Sequence, residues 1–473
     1  MNENKRLLKN TGIIAIGNIS TKLISFFLLP IYTALLSTSE YGIYDYILSI
    51  ATFCVPFVSL LMDESIFRFL IDCRTEAEKK RVISTSMIVV LGGMVCFTMI
   101  GIPVMNFLEY SYTYYAVIYI LLCVVSGMIS ALLRGIGRTD QYAIFNFLSG
   151  AINIVLNVIF IAVLRQGLRG MLMASILSLL IFSTFFAIKM HLWTYIDFKN
   201  MDRKLAKSMI IYSFPLIPNK ISWTIINLSD RIILMNVVGS AATGLYAVSY
   251  KFPNLMDTVY GFFYQSWKES SARVLGNESQ NDFYNMVYKY LKKFMFALVL
   301  GLTSFMPIVF KILINKNYYD AIYYVPILLI ATYFANISGF YGGIFTAYKD
   351  TKIMGTTTIA AAIINLIINI FTIRWIGIYA AALSTLIANF VVYIYRKKKV
   401  ERYIKLNEDW KSSFIALTVT CLILLLFYSE KSICIVAACI VTVFYAIVTN
   451  LEIIKIILRF LKTNKVSVEK KSE

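Results

Sequence analysis

Leu36-Ser37-Thr38-Ser39-Glu40-Tyr41-Gly42-Ile43-Tyr44 has a counterpart 202 residues further on, Val238-Gly239-Ser240-Ala241-Ala242-Thr243-Gly244-Leu245-Tyr246. Both stretches follow a long apolar run and place Gly-x-Tyr at the start of the next. A second pair matches better. Arg138-Thr139-Asp140 leads into Asn153-x-x-x-Asn157, and Asp350-Thr351-Lys352 leads into Asn365-x-x-x-Asn369, 212 residues later. Around these anchors lie fourteen apolar runs, at 12–35, 42–62, 82–102, 113–133, 141–164, 168–188, 208–236, 244–266, 290–314, 320–347, 353–373, 375–395, 411–429 and 432–450. Six runs separate the copies, an even number, so the halves share one orientation, as repeats related by an axis along the membrane normal do. The expected architecture is an all-α integral membrane protein with 14 transmembrane helices. Its parts are an N-terminal six-helix lobe (1–196), a C-terminal six-helix lobe (197–400), and a C-terminal helix pair with a basic tail (401–473). Arg396-Lys397-Lys398-Lys399 marks the last boundary.

Composition supports the same class. Of 473 residues, 59% are hydrophobic and only 15% charged, against roughly 25% charged in soluble domains. Continuous runs of about 20 residues suit helices crossing hydrocarbon; the short alternating segments of a β-barrel are missing from the sequence. The first run follows Lys5, Arg6 and Lys9 and looks like a signal peptide. It is too long and ends in Leu29-Pro30-Ile31-Tyr32, so it reads as a retained helix. The formal net charge is +19. In a soluble chain that would point to nucleic acid; here it reads as loop charge that sets topology. With the N-terminus on side one, that side's segments carry 35 of the 45 Lys and Arg residues, the opposite loops carry 6, and four lie inside runs. Both termini are therefore expected in the cytoplasm. The seven cysteines form no CxxC pair, and His191 is the single histidine. No metal centre, cofactor site or nucleic-acid partner is expected.

Charged groups inside apolar runs are the candidate functional residues, because each costs about 2.5–3.5 kcal/mol at a helix centre on insertion scales. Lys220, Thr224, Asn227 and Arg231 share one helical face of the seventh run. The 202-residue offset maps that face onto Asn18, Lys22 and Ser25 in the first run. The second run offers Asp45, Ser49, Thr52, Ser59 and Asp63; the eighth offers Lys251, Asn254, Thr258 and Gln265. Two readings follow. In one, the groups pair inside a protein-filled interior, with Lys22–Asp45 and Arg231–Asp257 as candidate pairs. In the other, they line a watery cavity with surplus positive charge, suited to an anionic substrate and, through the arginine fork, to phosphate. Asp230 and Asp257 lie off the axes of these faces. The paired asparagines read as hydrogen bonds between helices. Pro30, Pro56, Pro215, Pro218, Pro253, Pro307 and Pro326 read as kinks. The tyrosines at 110, 112, 114, 115 and 119 read as an interfacial belt. No catalytic constellation is present in the sequence, and the chain is not expected to be an enzyme.

Taken in order, several stretches resemble the polysaccharide transport branch (O-antigen and repeat-unit flippases) of the multidrug/oligosaccharidyl-lipid/polysaccharide exporter superfamily. They are Gly17-Asn18-Ile19-Ser20-Thr21-Lys22, Ser39-Glu40-Tyr41-Gly42-Ile43-Tyr44, Arg134-Gly135-Ile136-Gly137-Arg138-Thr139, Ser229-Asp230-Arg231-Ile232-Ile233-Leu234, Gly244-Leu245-Tyr246, and Asn365 to Asn369 followed by Ile376-Gly377-Ile378-Tyr379-Ala380-Ala381-Ala382. One departure is Tyr379-Ala380, where the pattern has a second small glycine. The resemblance covers essentially the whole chain. It implies two lobes around a central cavity, alternating access, and a polyprenyl-diphosphate-linked oligosaccharide as substrate in the inner (plasma) membrane. Polysaccharide polymerase and glycosyltransferases are the implied partners, with membrane lipids around the chain. The membrane potential would favour outward movement of two negative charges by about 4.6 kcal/mol at 100 mV. Asp45, Asp63, Glu64 and Asp257 are the candidates for ion coupling. The alternatives are a lipid II flippase, a cation-coupled multidrug exporter on the same fold, and a non-transporting scaffold for polysaccharide assembly.

Overall fold

The computed structural model describes residues 26, 28–107, 112–195, 201–350 and 352–469, without the side chains of 139, 218, 219, 222, 223, 226, 227, 453, 454 and 456–469. Among the described residues every regular element is helical: α1 (Leu29–Leu35), α2 (Thr38–Ser59), α3 (Met62–Asp72), α4 (Glu76–Phe107), α5 (Thr113–Gly135), α6 (Thr139–Asn157), α7 (Gly167–Lys189), α8 (Arg203–Ser213), α9 (Leu216–Val237), α10 (Ser240–Arg273), α11 (Gln280–Leu313), α12 (Val325–Ala347), α13 (Lys352–Ile376), α14 (Ile378–Val400), α15 (Trp410–Tyr428) and α16 (Ser432–Glu469). Eleven helical stretches among them are long and apolar enough to cross a membrane. They match the second to sixth and the ninth to fourteenth expected runs. The seventh and eighth runs are present as α9 and α10, and both are markedly more polar. Any span-length stretch of α9 contains Lys220, Asp230 and Arg231. Most of the first expected run lies outside the described residues.

Local sequence explains where these helices begin and bend. Ser37 and Glu40 form a capping box on α2: the Ser37 hydroxyl accepts from the Glu40 amide at 3.2 Å, and the Glu40 carboxylate accepts from the Ser37 amide at 2.9 Å. Such a cap contributes about 1 kcal/mol. The second oxygen of Glu40 accepts the Leu168 amide at 3.2 Å and so covers the start of α7 as well. Four of the expected kinks are helix starts instead: Pro215 is the N-cap of α9, and Pro218 lies in its first turn. Pro30 and Pro326 occupy the first turn of α1 and α12, where a missing N–H costs nothing. Pro56, Pro253 and Pro307 lie inside helices. Between α2 and α3 the chain turns on Leu60 and Leu61, both left-handed at φ 50° and 49°. The Ser59 hydroxyl receives the Leu61 amide at 3.1 Å and supports that turn. After Asn157 the fifth run continues as a π-helical segment, Val158–Val163.

The helices fall into two compact units: residues 1–247 with 366–381, and residues 248–365 with 382–473. In the first, α3 to α7 close around a core that includes Ile66, Leu70, Met128, Leu132, Phe145 and Phe186, each at most 2% exposed. The asparagine pair of α6 works as expected: Asn153 donates to Ser178 of α7 at 3.1 Å, and Asn157 donates back to Asn153. In the second unit, Trp267 stacks on Phe340 with ring centroids 4.4 Å apart and donates its indole N–H to the Phe340 carbonyl. Asn365 donates to Ser384 and Thr385 across α13 and α14.

Candidate functional site

The two Gly-x-Tyr copies meet in the first unit. A Cβ placed on Gly42 would sit 2.0 Å from the Ser240 carbonyl oxygen, and one placed on Gly244 would sit 1.9 Å from the Thr38 carbonyl oxygen. Only glycine permits this approach. The contact is reciprocal: position 38 faces 244, and position 240 faces 42. The hydroxyls of Ser39 and Ser240 share a hydrogen bond beside it. The tyrosines of the copies then point to different partners. Tyr44 bonds Ser175 at 2.9 Å, and Tyr246 donates to Asp230 at 2.7 Å.

Next to this contact of α2 with α10, α9 packs along α2 and brings charges together. Arg231, 8% exposed, pairs through Nε with the Asp45 carboxylate; the two side chains retain 10% and 17% of their surface. The guanidinium also lies 5.8 Å from the Tyr246 ring centroid. The sequence had set Asp45 opposite Lys22 and Arg231 opposite Asp257; a pairing of Arg231 with Asp45 was not among the candidates. Asp230, set aside as off-axis, is 1% exposed and accepts from Asn369 at 2.8 Å as well as from Tyr246. It belongs to the packing of α9, α10 and α13.

The other candidates divide. Lys220 is exposed on α9, and Thr224 one turn on is half-buried with its hydroxyl on the Lys220 carbonyl at 3.1 Å. Lys220 acts electrostatically on Asp63, which is half-buried at the start of α3 beside exposed Glu64. Burial first, and then Glu64, raises the Asp63 carboxyl above its ordinary value, with Lys220 opposing. Among the described residues, Oδ1 of Asp63 has no hydrogen-bond partner. In the second unit, α10 carries half-buried Lys251 and Asp257 and exposed Asn254, whose carbonyl accepts from Thr258. Among the described residues neither Lys220 nor Lys251 forms an ion pair with Asp or Glu. Asn18, Lys22 and Ser25 lie outside the described residues, as does the side chain of Asn227.

Two charged clusters of the second unit were not among the candidates. Arg396, counted as loop charge, is 3% exposed inside α14. It donates to the hydroxyls of Thr357 and Thr358 and to the carbonyls of Ser338 and Met354, at 2.9–3.3 Å. Its signal was present: Ala388, Val392 and Arg396 recur every four residues on one buried face. Glu408, in the segment before α15, receives Lys292 at 2.7 Å, Lys397 at 2.8 Å and the Tyr288 hydroxyl at 2.7 Å. Burial alone would raise its carboxyl; those hydrogen bonds outweigh it and hold the group below its ordinary value.

Comparison with solved structures places this fold among transporters. An inward-facing multidrug resistance MATE family transporter of the MOP superfamily matches with a TM-score of 0.68 at 16% identity, over 82% of this chain and 98% of that one. An outward-facing structure of such a transporter matches at 0.57 and 16% identity, over 84% and 95%. A MOP superfamily transporter from Pyrococcus furiosus, described as having a binding pocket of reversed polarity, matches at 0.55 and 17% identity, over 82% and 93%. At these identities the likeness is one of fold. A comparison with curated protein sequences gives no match. The family model described as "Polysaccharide biosynthesis protein" matches residues 7–267, more than half of the sequence. With that match, and with eleven described helices long and apolar enough to cross a membrane, the chain belongs to the polysaccharide biosynthesis protein family.

Proposed function

We propose that the chain is a flippase that moves polyprenyl-diphosphate-linked oligosaccharides from the cytoplasmic to the outer leaflet of the inner membrane. In this reading it has fourteen spans, two six-helix lobes (1–196 and 197–400) and an added helix pair (401–473), with both termini cytoplasmic. The observation that carries it is the placement of Lys220, Arg231 and Lys251 on α9 and α10, two long helices more polar than the eleven apolar ones. Asp45 offsets one of the three; Lys220 and Lys251 remain to meet an anion. A diphosphate cannot enter hydrocarbon without such partners. The lipid tail can stay in the bilayer while the head group passes along the polar faces, and Asp63 and Asp257 are the acids through which an ion gradient would act. Polysaccharide polymerase and glycosyltransferases are the partners of this activity. The multidrug fold neighbours support a second reading, export of drugs; it predicts a site whose acids, not its lysines, govern transport.

The test is export of lipid-linked glycan in cells carrying Lys220→Ala and Lys251→Ala, normalised to the amount of inserted protein. Charge-assisted bonds of about 1.5–3 kcal/mol imply a loss of ten- to a hundredfold for each variant, with Lys→Arg retaining activity. Wild-type export by both alanine variants sinks the proposal. Drug export abolished by Asp45→Asn or Asp257→Asn, with glycan export absent from the wild type, replaces it with the second reading.

A further inference from the structure

The second unit contains a cavity of about 610 Å³ between α11, α12, α14 and α15, with Tyr445 of α16 closing one wall. Its volume lies within the ~300–1,000 Å³ typical of ligand pockets. Its chemistry is graded along its length. Lys289, Lys292 and Lys293 of α11, with Asn407, Asp409 and Ser412 at the start of α15, lie at one end. Phe296 and Val299 of α11 and Leu417 and Leu424 of α15 continue the wall as both helices run the same way. From Lys289 to Val299 that wall is about 15 Å long at 1.5 Å per residue. The gradient is that of an amphiphile, a charged head followed by a hydrocarbon chain.

The charges at the mouth give the sign of the head. Lys292 and Lys397 share the one carboxylate of Glu408. Lys289 pairs with Glu452 at 3.7 Å on an exposed surface, a weak interaction. Asp409 is occupied as the cap of α15, accepting the Ser412 amide at 3.0 Å. Among the lining residues three ammonium groups, Lys289, Lys292 and Lys293, thus meet one carboxylate, Asp409, which is engaged with a helix terminus. This is the end that the cation distribution assigns to the cytoplasm, where basic pockets between membrane helices take anionic head groups. Leu417 and Phe390, 61% and 41% exposed, make the rim apolar.

We propose that this cavity is a binding site for an anionic phospholipid of the surrounding membrane, its phosphate on Lys289 and Lys293 and one acyl chain between α11 and α15. None of its lining residues belongs to α9 or α10, and the proposal does not depend on what the chain transports. The occupant holds the α15 end to α11, beside the contact that Glu408 already makes.

The full-length protein in phosphatidylcholine vesicles, doped with phosphatidylglycerol carrying a photoreactive acyl chain, tests this. Crosslinks are mapped by mass spectrometry. Labelling is expected on the 417–424 face of α15, with phosphatidylcholine bearing the same chain labelling several-fold less. At about 1 kcal/mol per lysine, Lys289→Ala with Lys293→Ala should lower phosphatidylglycerol labelling by about thirtyfold. Cys421→Phe fills the cavity and leaves the lysines in place; it should abolish labelling in protein that still elutes as a single species. Equal labelling by the two lipids, or labelling indifferent to both variants, overturns the site. Displacement of phosphatidylglycerol by an equal mole fraction of unlabelled polyprenyl phosphate overturns the phospholipid assignment in favour of a carrier lipid.

Discussion

Arg231 and Arg396 are both buried arginines, and the two units hold them by opposite means. Arg231 is joined to Asp45, a charge against a charge. Arg396 donates to two hydroxyls and two carbonyls, all neutral. An ion pair can be removed as a unit, because taking both partners away leaves no orphaned charge. A guanidinium clasped by neutral acceptors from two neighbouring helices has no such counterpart, and its loss takes a donor from each of them. Of the two, Arg231 is the charge that can change partners; Arg396 is a fixture of the α12, α13 and α14 packing.

The largest effect that distinguishes them is on stability. Arg396→Ala removes a donor from the Thr357 and Thr358 hydroxyls and from the Ser338 carbonyl, while the Met354 carbonyl keeps those two hydroxyls, and it opens a cavity; at about 1–3 kcal/mol per unsatisfied group, a loss of about 3 kcal/mol or more is expected. Thermal unfolding followed by size-exclusion fluorescence reads it, and an unchanged midpoint would show that water or a neighbour replaces the arginine. Next is Arg231→Ala, expected to cost about 3 kcal/mol because Asp45 is left buried. Arg231→Ala combined with Asp45→Ala should recover most of that stability. Recovery of stability without recovery of glycan export would assign the arginine to transport; recovery of both would confine it to packing.

The smallest effect concerns Glu408. Its carboxyl is held below its ordinary value, so the stability it contributes is present above the unfolded-state value of about 4.3 and is lost as pH falls through its lower folded value. Glu408→Gln should flatten the acid limb of a stability-against-pH curve and lower the plateau at neutral pH by about 1–2 kcal/mol. A variant whose curve superimposes on the wild type would show that Lys292 and Lys397 find other acceptors.

How far the sequence foretold these two sites follows from what periodicity can carry. Helices are legible because an apolar run of the right length has one economical conformation in a membrane. The polar faces of α9 and α10 are legible for the same reason, since 3.6 residues per turn gathers Lys220, Thr224 and Arg231 on one side. The partner of Arg231 is not legible: Asp45 reaches it only because α9 packs along α2, next to the contact of α2 with α10 at Gly42 and Gly244, and helix rotation is not written in either stretch of residues. Arg396 was misplaced because three lysines follow it. Those lysines form the last turn of α14, where positive charge favours a helix end, while the four-residue ladder of Ala388 and Val392 carries Arg396 inward.

The reciprocal contact at Gly42 and Gly244 also bears on descent. Position 38 against 244 and 240 against 42 is the pattern two identical subunits make across a twofold axis, here enclosed within one polypeptide. Each added methyl group would strike a backbone carbonyl and not a side chain. No neighbouring substitution can trim that obstacle away. The two codons are therefore bound to one another more strictly than to anything near them in the gene, and a genetic screen for suppressors of Gly42→Ala should return true revertants.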